Sequence, residues 1–120
     1  MVVVGYIPRM RNILLLALAL MMSGMAAGQL VYSVNSQFDA DVKVYVVNSQ
    51  FDADLKVYKV SSQFDVGGND GKWYFTNSQF DAKKKIYFVR SQFDADLKIY
   101  FVGSQFDAGW VNNSKKHLMY

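Results

Sequence analysis

Short segments rich in β-branched and aromatic residues recur along the chain after residue 28. Each is bounded by Ser, Asn, Asp or Gly, and this combination is typical of β-strands separated by turns. Six such segments occupy residues 30–34, 43–47, 56–60, 72–76, 85–89 and 98–102, and residues 116–120 are expected to form a seventh. The pattern therefore predicts an all-β domain of about seven short strands.

The last of the six segments shows how hydrophobic and polar positions alternate. Successive side chains of a strand point to opposite faces, so Leu97, Ile99 and Phe101 share one face, whereas Tyr100 and Val102 share the other with Lys98. Both faces carry large apolar groups. We therefore expect the strands to be covered on both faces.

A Ser-Gln-Phe-Asp unit occurs six times between these segments and organises the whole chain. The copies begin at Ser36, Ser49, Ser62, Ser78, Ser91 and Ser104, with spacings of 13, 13, 16, 13 and 13 residues. The longer spacing, which contains residues 66–71, divides the chain into two similar halves of three units each. Gly67 and Gly109 stand where other copies carry a second aspartate, and we expect them to supply backbone conformations that other residues avoid.

Residues 1–28 have the pattern of a secretory signal peptide. Arg9 and Arg11 precede the apolar run 13–22, which small residues follow. We predict cleavage after Gly28, with Met1 or Met10 as the true start. The alternative is an uncleaved N-terminal anchor, although the apolar run is short for a membrane span, which needs roughly 20 apolar residues.

Charge and composition narrow the class of protein. Apart from those two arginines, 11 basic residues face 10 aspartates, so the formal net charge falls from +3 to +1 and gives no case for a nucleic-acid partner. All acidic residues are Asp, which favours turns over helices. The chain has no cysteine, which excludes thiol catalysis and Cys-based zinc sites.

The Asp-x-Asp pairs within the repeats are the first candidate for chemistry, because carboxylate oxygens are the ligands that calcium prefers. The pairs are Asp39/Asp41, Asp52/Asp54 and Asp94/Asp96. Calcium-binding repeats typically need glycine-rich tight turns, which these copies lack. We favour turn-forming aspartates that accept backbone hydrogen bonds, and assign no metal site.

The remaining candidates are also interpreted as structural. The recurring Ser and Gln form either a polar recognition surface or partners for backbone groups of a tightly wound interior, and six similar copies favour the second. The aromatic residues, including Trp73 and Trp110, are expected in the core rather than on a stacking platform. The three lysines of 83–85 are expected in a solvated face or turn. His117 is the only histidine, and no nucleophile elbow, phosphate loop or dinucleotide fingerprint accompanies it. We therefore predict no catalytic or cofactor-binding residues.

The repeated pattern Tyr-x-Val-x-Ser-Gln-Phe-Asp-Ala-Asp-Leu-Lys-Ile-Tyr resembles the 7(1) septoil knot domain family. The ending Ala-Gly-Trp-Val-Asn-Asn-Ser-Lys-Lys-His-Leu-Met-Tyr adds to the resemblance, which extends from about Val31 to the C-terminus. It implies a small bacterial protein of uncharacterised function whose backbone forms a deep seven-crossing knot. One half of the chain winding around the other fits the three-plus-three layout. Without the resemblance, the repeats suggest a β-solenoid.

We therefore expect residues 29–120 to form a knotted all-β domain of two pseudo-symmetric halves, with a β-solenoid as the alternative. The expected function is a structural or interaction role, without catalysis, for a monomer exported to the bacterial periplasm or the exterior. One alternative is a curli-like self-assembling protein, because short polar and aromatic repeats suit edge-to-edge stacking. Another is an adhesin or a module that binds sugar or protein through exposed aromatics. The sequence does not identify the ligand.

Overall fold

The computed structural model describes residues 29–120, so the predicted signal peptide lies outside the described residues. The seven strands are β1 (Gln29–Ser33), β2 (Val42–Val46), β3 (Leu55–Lys59), β4 (Lys72–Phe75), β5 (Lys84–Phe88), β6 (Leu97–Phe101) and β7 (Gly109–Trp110). The prediction of seven short strands is confirmed, and six of them lie where the sequence pattern placed them. The seventh was placed wrongly at 116–120, because that segment belongs to a 3-10 helix, Asn113–Met119, and β7 precedes it.

The first six strands form a closed parallel ring. Their order is β4-β1-β5-β2-β6-β3, β3 pairs back with β4, and β7 adds to β3 in antiparallel orientation. Strands of the first half of the chain thus alternate with strands of the second half around the ring. In a solenoid, successive repeats would lie side by side, but β1 pairs with β4 and β5 and not with β2. The β-solenoid alternative is therefore wrong.

The connections between strands cross over strands of the other half. Segment 34–41 joins β1 to β2, which lie on opposite sides of β5, and it bonds to β5 at both ends. The Val34 N–H donates to the Ile86 carbonyl at 2.8 Å, and the Asp41 N–H donates to the Lys85 carbonyl at 2.7 Å. Segment 47–54 crosses β6 in the same way, and segment 89–96 crosses β2. Because the interior of the ring is filled, these connections run outside it.

The core lies inside the ring. The buried side chains of this core are Val31, Val42, Val44, Leu55, Val57, Trp73, Ile86, Leu97, Ile99 and Met119. Equivalent inward positions such as Val31, Val44 and Val57 are 13 residues apart, so each connection resets the alternation that an odd repeat would otherwise reverse.

The outer face of the ring is only half-buried. It carries mainly Lys and Tyr, for example Lys43 and Tyr45 on β2. The expectation that both faces are covered is therefore wrong. A closed ring gives each strand one inner face to bury, and the crossing connections cover the outer face only in part.

The glycine prediction is correct at Gly109 and wrong at Gly67. Gly109 has a φ of 153°, and the other glycine with a positive φ among residues 29–120 is Gly71, at 91°. Gly71 immediately precedes β4, so the special conformation lies at the entry to that strand rather than at the exit of the third unit. Within residues 29–120, no helix has the length and apolar character needed to cross a membrane.

Candidate functional site: a ring of exposed Gln-Phe-Asp turns

The Ser-Gln-Phe-Asp units form tight turns with a common hydrogen-bond pattern. Five of them are 3-10 helices, at Gln37–Asp39, Gln50–Asp52, Gln63–Asp65, Gln92–Asp94 and Gln105–Asp107. In each, the hydroxyl of the preceding Ser accepts the Phe N–H at 3.2 to 3.3 Å, and the Ser carbonyl accepts the Asp N–H at 3.0 to 3.1 Å. Serine is a preferred cap for such turns because its oxygen satisfies a donor that lacks a helical partner.

The fourth unit departs from this pattern. The Asp81 N–H still donates to the Ser78 carbonyl at 3.2 Å, but the Ser78 N–H donates to the Thr76 hydroxyl. The turn continues into Lys83, where three of the other units carry an aspartate and two carry a glycine. All six units nevertheless present the same three side chains outward.

The six phenylalanines of these turns are almost fully exposed to solvent. Their exposed fractions are 89% for Phe38, 85% for Phe51, 84% for Phe64, 90% for Phe80, 88% for Phe93 and 88% for Phe106. The neighbouring Gln and Asp of each unit are exposed as well. Single exposed apolar residues are ordinary, but six identical ones at equivalent turns form a repeated surface that the fold itself does not use.

The prediction that the aromatic residues lie in the core is wrong for these six phenylalanines, because the tight turns hold them outside the ring. Sequence reasoning therefore missed them as functional candidates. Trp73 and Trp110 were considered instead, and the structure confirms their structural role. Trp73 is fully buried, and Trp110 packs against the core while its Nε1–H donates to the Asn69 carbonyl at 3.0 Å. The signal was available, because each Phe lies in a turn unit outside the alternating strand segments.

Grooves separate neighbouring turns around the ring. The connections lie in the order of the strands they cross, so turns from the two halves become neighbours. Four grooves have volumes of about 390 to 440 Å³. Each groove lies between two repeat units, named here by the residue at which each unit begins. The pairs are 36 and 91, 36 and 78, 62 and 78, and 62 and 104.

Each of these grooves combines one outer-face tyrosine with aspartate and small polar side chains. Each groove contains one such pair. The pairs are Tyr87 with Asp94 (groove 36/91), Tyr32 with Asp39 (36/78), Tyr74 with Asp81 (62/78) and Tyr58 with Asp65 (62/104). Ser lines all four grooves, and Phe lines three of them. A tyrosine offers an apolar ring with a polar tip, and Asp, Asn, Gln and Ser offer acceptors and donors.

The second aspartate of each Asp-x-Asp pair fastens a connection to the strand it crosses. The Asp54 carboxylate accepts the Lys98 N–H at 2.9 Å, and the Asp54 N–H donates to the Lys98 carbonyl at 2.8 Å. Asp41 makes the same two bonds to Lys85, and Asp96 makes them to Lys43. Turn-forming aspartates that accept backbone hydrogen bonds are thus confirmed at the second position of each pair.

The first aspartate of each pair is exposed, and the prediction that it accepts a backbone hydrogen bond is not confirmed there. Within residues 29–120, no three His, Cys, Asp or Glu side chains form a group suited to a metal ion. The structure therefore offers the calcium hypothesis no ligand cluster.

We predict that Asp54→Ala lowers the free energy of unfolding by about 1 to 3 kcal/mol. Loss of the carboxylate leaves the partly buried Lys98 N–H without an acceptor. The Asp54 carboxylate also accepts a hydrogen bond from the Asn112 side-chain amide at 3.2 Å, which the variant loses as well. Urea denaturation checks this. The matched control is Asp52→Ala in the same connection, whose carboxylate is exposed and whose loss is expected to cost less than about 0.5 kcal/mol. Equal losses for the two variants would contradict the role assigned to Asp54.

The other polar candidates divide between structure and surface. The structural role predicted for Ser is confirmed by the caps, but the same prediction is wrong for Gln, which is exposed in all six units. His117 is exposed, and its Nδ1 lies 2.9 Å from the Ser114 carbonyl. The lysine run is not only a turn, because Lys84 and Lys85 lie in β5.

Comparison with known proteins agrees with the resemblance seen in the sequence. The family model of the 7(1) septoil knot domain matches residues 28–111. No curated protein matches the chain. Since the family model covers more than half of the chain, the protein belongs to the 7(1) septoil knot domain family.

Proposed function

We propose that this member of the septoil knot family is an exported, non-catalytic interaction module that binds through several equivalent Gln-Phe-Asp turns. The observation that carries the proposal is the exposure of 84% or more at all six phenylalanines. Exposing an apolar ring forgoes roughly 1.5 to 3 kcal/mol of burial energy per side chain. A fold that repeats this arrangement six times, and assigns the rings no packing role, presents them to a partner.

The separation of interior and surface supports a binding role rather than a catalytic one. The largest buried side chains pack inside the ring, while the turns are held by Ser caps and by the aspartates that fasten the connections. The turn tips therefore contribute little to stability. A binding surface of this kind accepts substitution without loss of the fold.

We also propose that the two halves are pseudo-symmetric and threaded into the seven-crossing knot of the family. Two features support this: strands of the two halves alternate around the ring, and the connections of each half cross outside strands of the other. Tracing the backbone in an experimental structure of residues 29–120 tests the crossing number.

The self-assembly alternative is less well supported. Edge-to-edge stacking needs a strand with unpaired backbone groups, and each strand of the described six-strand ring has a neighbour on both sides. Size-exclusion chromatography with an amyloid-binding dye distinguishes the two. We expect a small monomer without dye binding, and fibres would overturn the proposal of a monomeric module.

The binding role is tested with labelled protein produced from the full chain and incubated with intact bacterial cells. A variant carrying Phe→Ser in all six turns is expected to lose binding at least about tenfold, because several weak contacts act together in a multivalent binder. Its thermal midpoint should stay within a few degrees of the parent. The matched control is Val111→Ser with Tyr120→Ser, two exposed apolar residues outside the turns. The proposal fails if the parent does not bind or if the six-turn variant binds equally well.

A further inference from the structure

We infer that the grooves between neighbouring turns bind the sugar units of a neutral polysaccharide. This inference rests on the proposed interaction role and names its ligand class. The grooves of about 390 to 440 Å³ have the size of small-molecule sites, which are typically 300 to 1,000 Å³. They are open at the surface and recur with similar linings.

The lining chemistry matches a hydroxyl-rich ring. A sugar has an apolar C–H face and an edge of hydroxyl groups, so it needs a flat aromatic surface beside donors and acceptors. The groove between the units at 62 and 78 supplies Tyr74 and Phe64 as aromatic rings, with Asp81, Gln63 and Asn77 as polar partners. A carboxylate accepts two hydroxyl hydrogen bonds, and an amide both donates and accepts.

The charge of the grooves favours a neutral ligand. Each of the four contains an aspartate, and the lining of two of them contains no basic side chain. In the other two a basic residue, Lys85 or Arg90, accompanies the aspartate. An anionic polymer would bring its charges against a carboxylate in every groove, which is unfavourable.

Repetition favours a polymer over a globular protein. Equivalent grooves recur around one ring, and projecting turns separate them. The flat surface of a typical protein interface therefore does not reach the tyrosine at the floor of each groove. A chain of identical sugar units offers the same contact at successive grooves. Binding at several of them raises the overall affinity without new contacts.

The test uses affinity electrophoresis of the full-chain protein in gels containing a neutral polysaccharide, with dextran, mannan, galactan and xylan as separate probes. We expect retardation by at least one of them. A variant with Asp→Ala at the four groove positions 39, 65, 81 and 94 should bind that probe about tenfold or more weakly, since each hydrogen bond to a carboxylate is worth about 1.5 to 3 kcal/mol. Those carboxylates are exposed, so the variant is expected to fold.

The matched control is Val111→Ser with Asn113→Ala, which changes two exposed side chains outside both the turns and the four grooves and should change binding less than twofold. Retardation that the four-position variant retains overturns the assignment to the grooves. A parallel assay on bacterial cells separates the two proposals. If periodate oxidation of the cells abolishes binding and protease treatment does not, the sugar inference is supported. Binding that only protease abolishes overturns the sugar inference but leaves the interaction role standing, and absence of cell binding overturns both.

Discussion

Replacing Trp73 by alanine is expected to lower the free energy of unfolding by about 3 to 5 kcal/mol. Trp73 is fully buried inside the strand ring and is the largest side chain of the core. Its ring meets Phe75 edge to face, with centroids 6.1 Å apart and planes at 62°. Alanine would leave a cavity that the surrounding strands cannot collapse to fill, because closure of the ring fixes their separation.

Trp73→Phe is the matched variant. The Nε1–H of Trp73 is buried without a hydrogen-bond partner, so phenylalanine keeps much of the packing and removes an unsatisfied donor. We expect a loss clearly smaller than that of alanine. Equilibrium unfolding in urea measures the free energy of unfolding of both variants. Circular dichroism is the signal, since it does not depend on tryptophan fluorescence. Equal losses for Phe and Ala would show that the ring interior does not depend on this side chain.

Gly71→Ala is expected to lower the free energy of unfolding by about 2 to 5 kcal/mol, or to prevent folding. Gly71 has a φ of 91°, in the region that side chains disfavour. A methyl group there would lie 2.5 Å from the carbonyl oxygen of Lys56 and 3.0 Å from the nitrogen of Gly109. Both are backbone atoms of strands that meet at this point, so neither can move without disturbing the closure of the ring between β3 and β4.

Gly68→Ala provides the control in the same connection, because a methyl group at that position has no heavy atom within 4 Å and φ is not in the disfavoured range. Its effect should stay within about 0.5 kcal/mol of the parent. Thermal unfolding of the two variants under identical conditions checks the comparison. A neutral Gly71→Ala would mean that the approach of Lys56 and Gly109 to Gly71 is not required for folding.

Stability and the proposed binding depend on different parts of the molecule. Trp73 and Gly71 act where the ring is filled and closed, and Asp54 acts where a connection is fastened. The exposed turn tips take no part in these contacts. The proposed binding surface is thus separate from the core, and substitutions in the turn tips are expected to leave the fold intact.

The proposed binding surface was predictable only in part. The six Ser-Gln-Phe-Asp units and their turn character were evident from spacing and composition, and the Ser caps follow from a local preference. The exposure of Phe38 and its equivalents was not anticipated, because aromatic residues are usually buried. The grooves could not be predicted from the sequence either, because units from different halves of the chain line each of them.

The sequence by itself determined the number and position of six strands, the turns between them and the division into two halves, because these depend on local preferences within a few residues. Only the tertiary structure decided which strands are neighbours. The strand segments are so alike that their own residues do not specify partners, and pairing depends on closing the ring with every inner face buried. That closure also made one face of each strand the interior, placed the connections outside, and turned the C-terminal segment into a 3-10 helix whose Met119 enters the core.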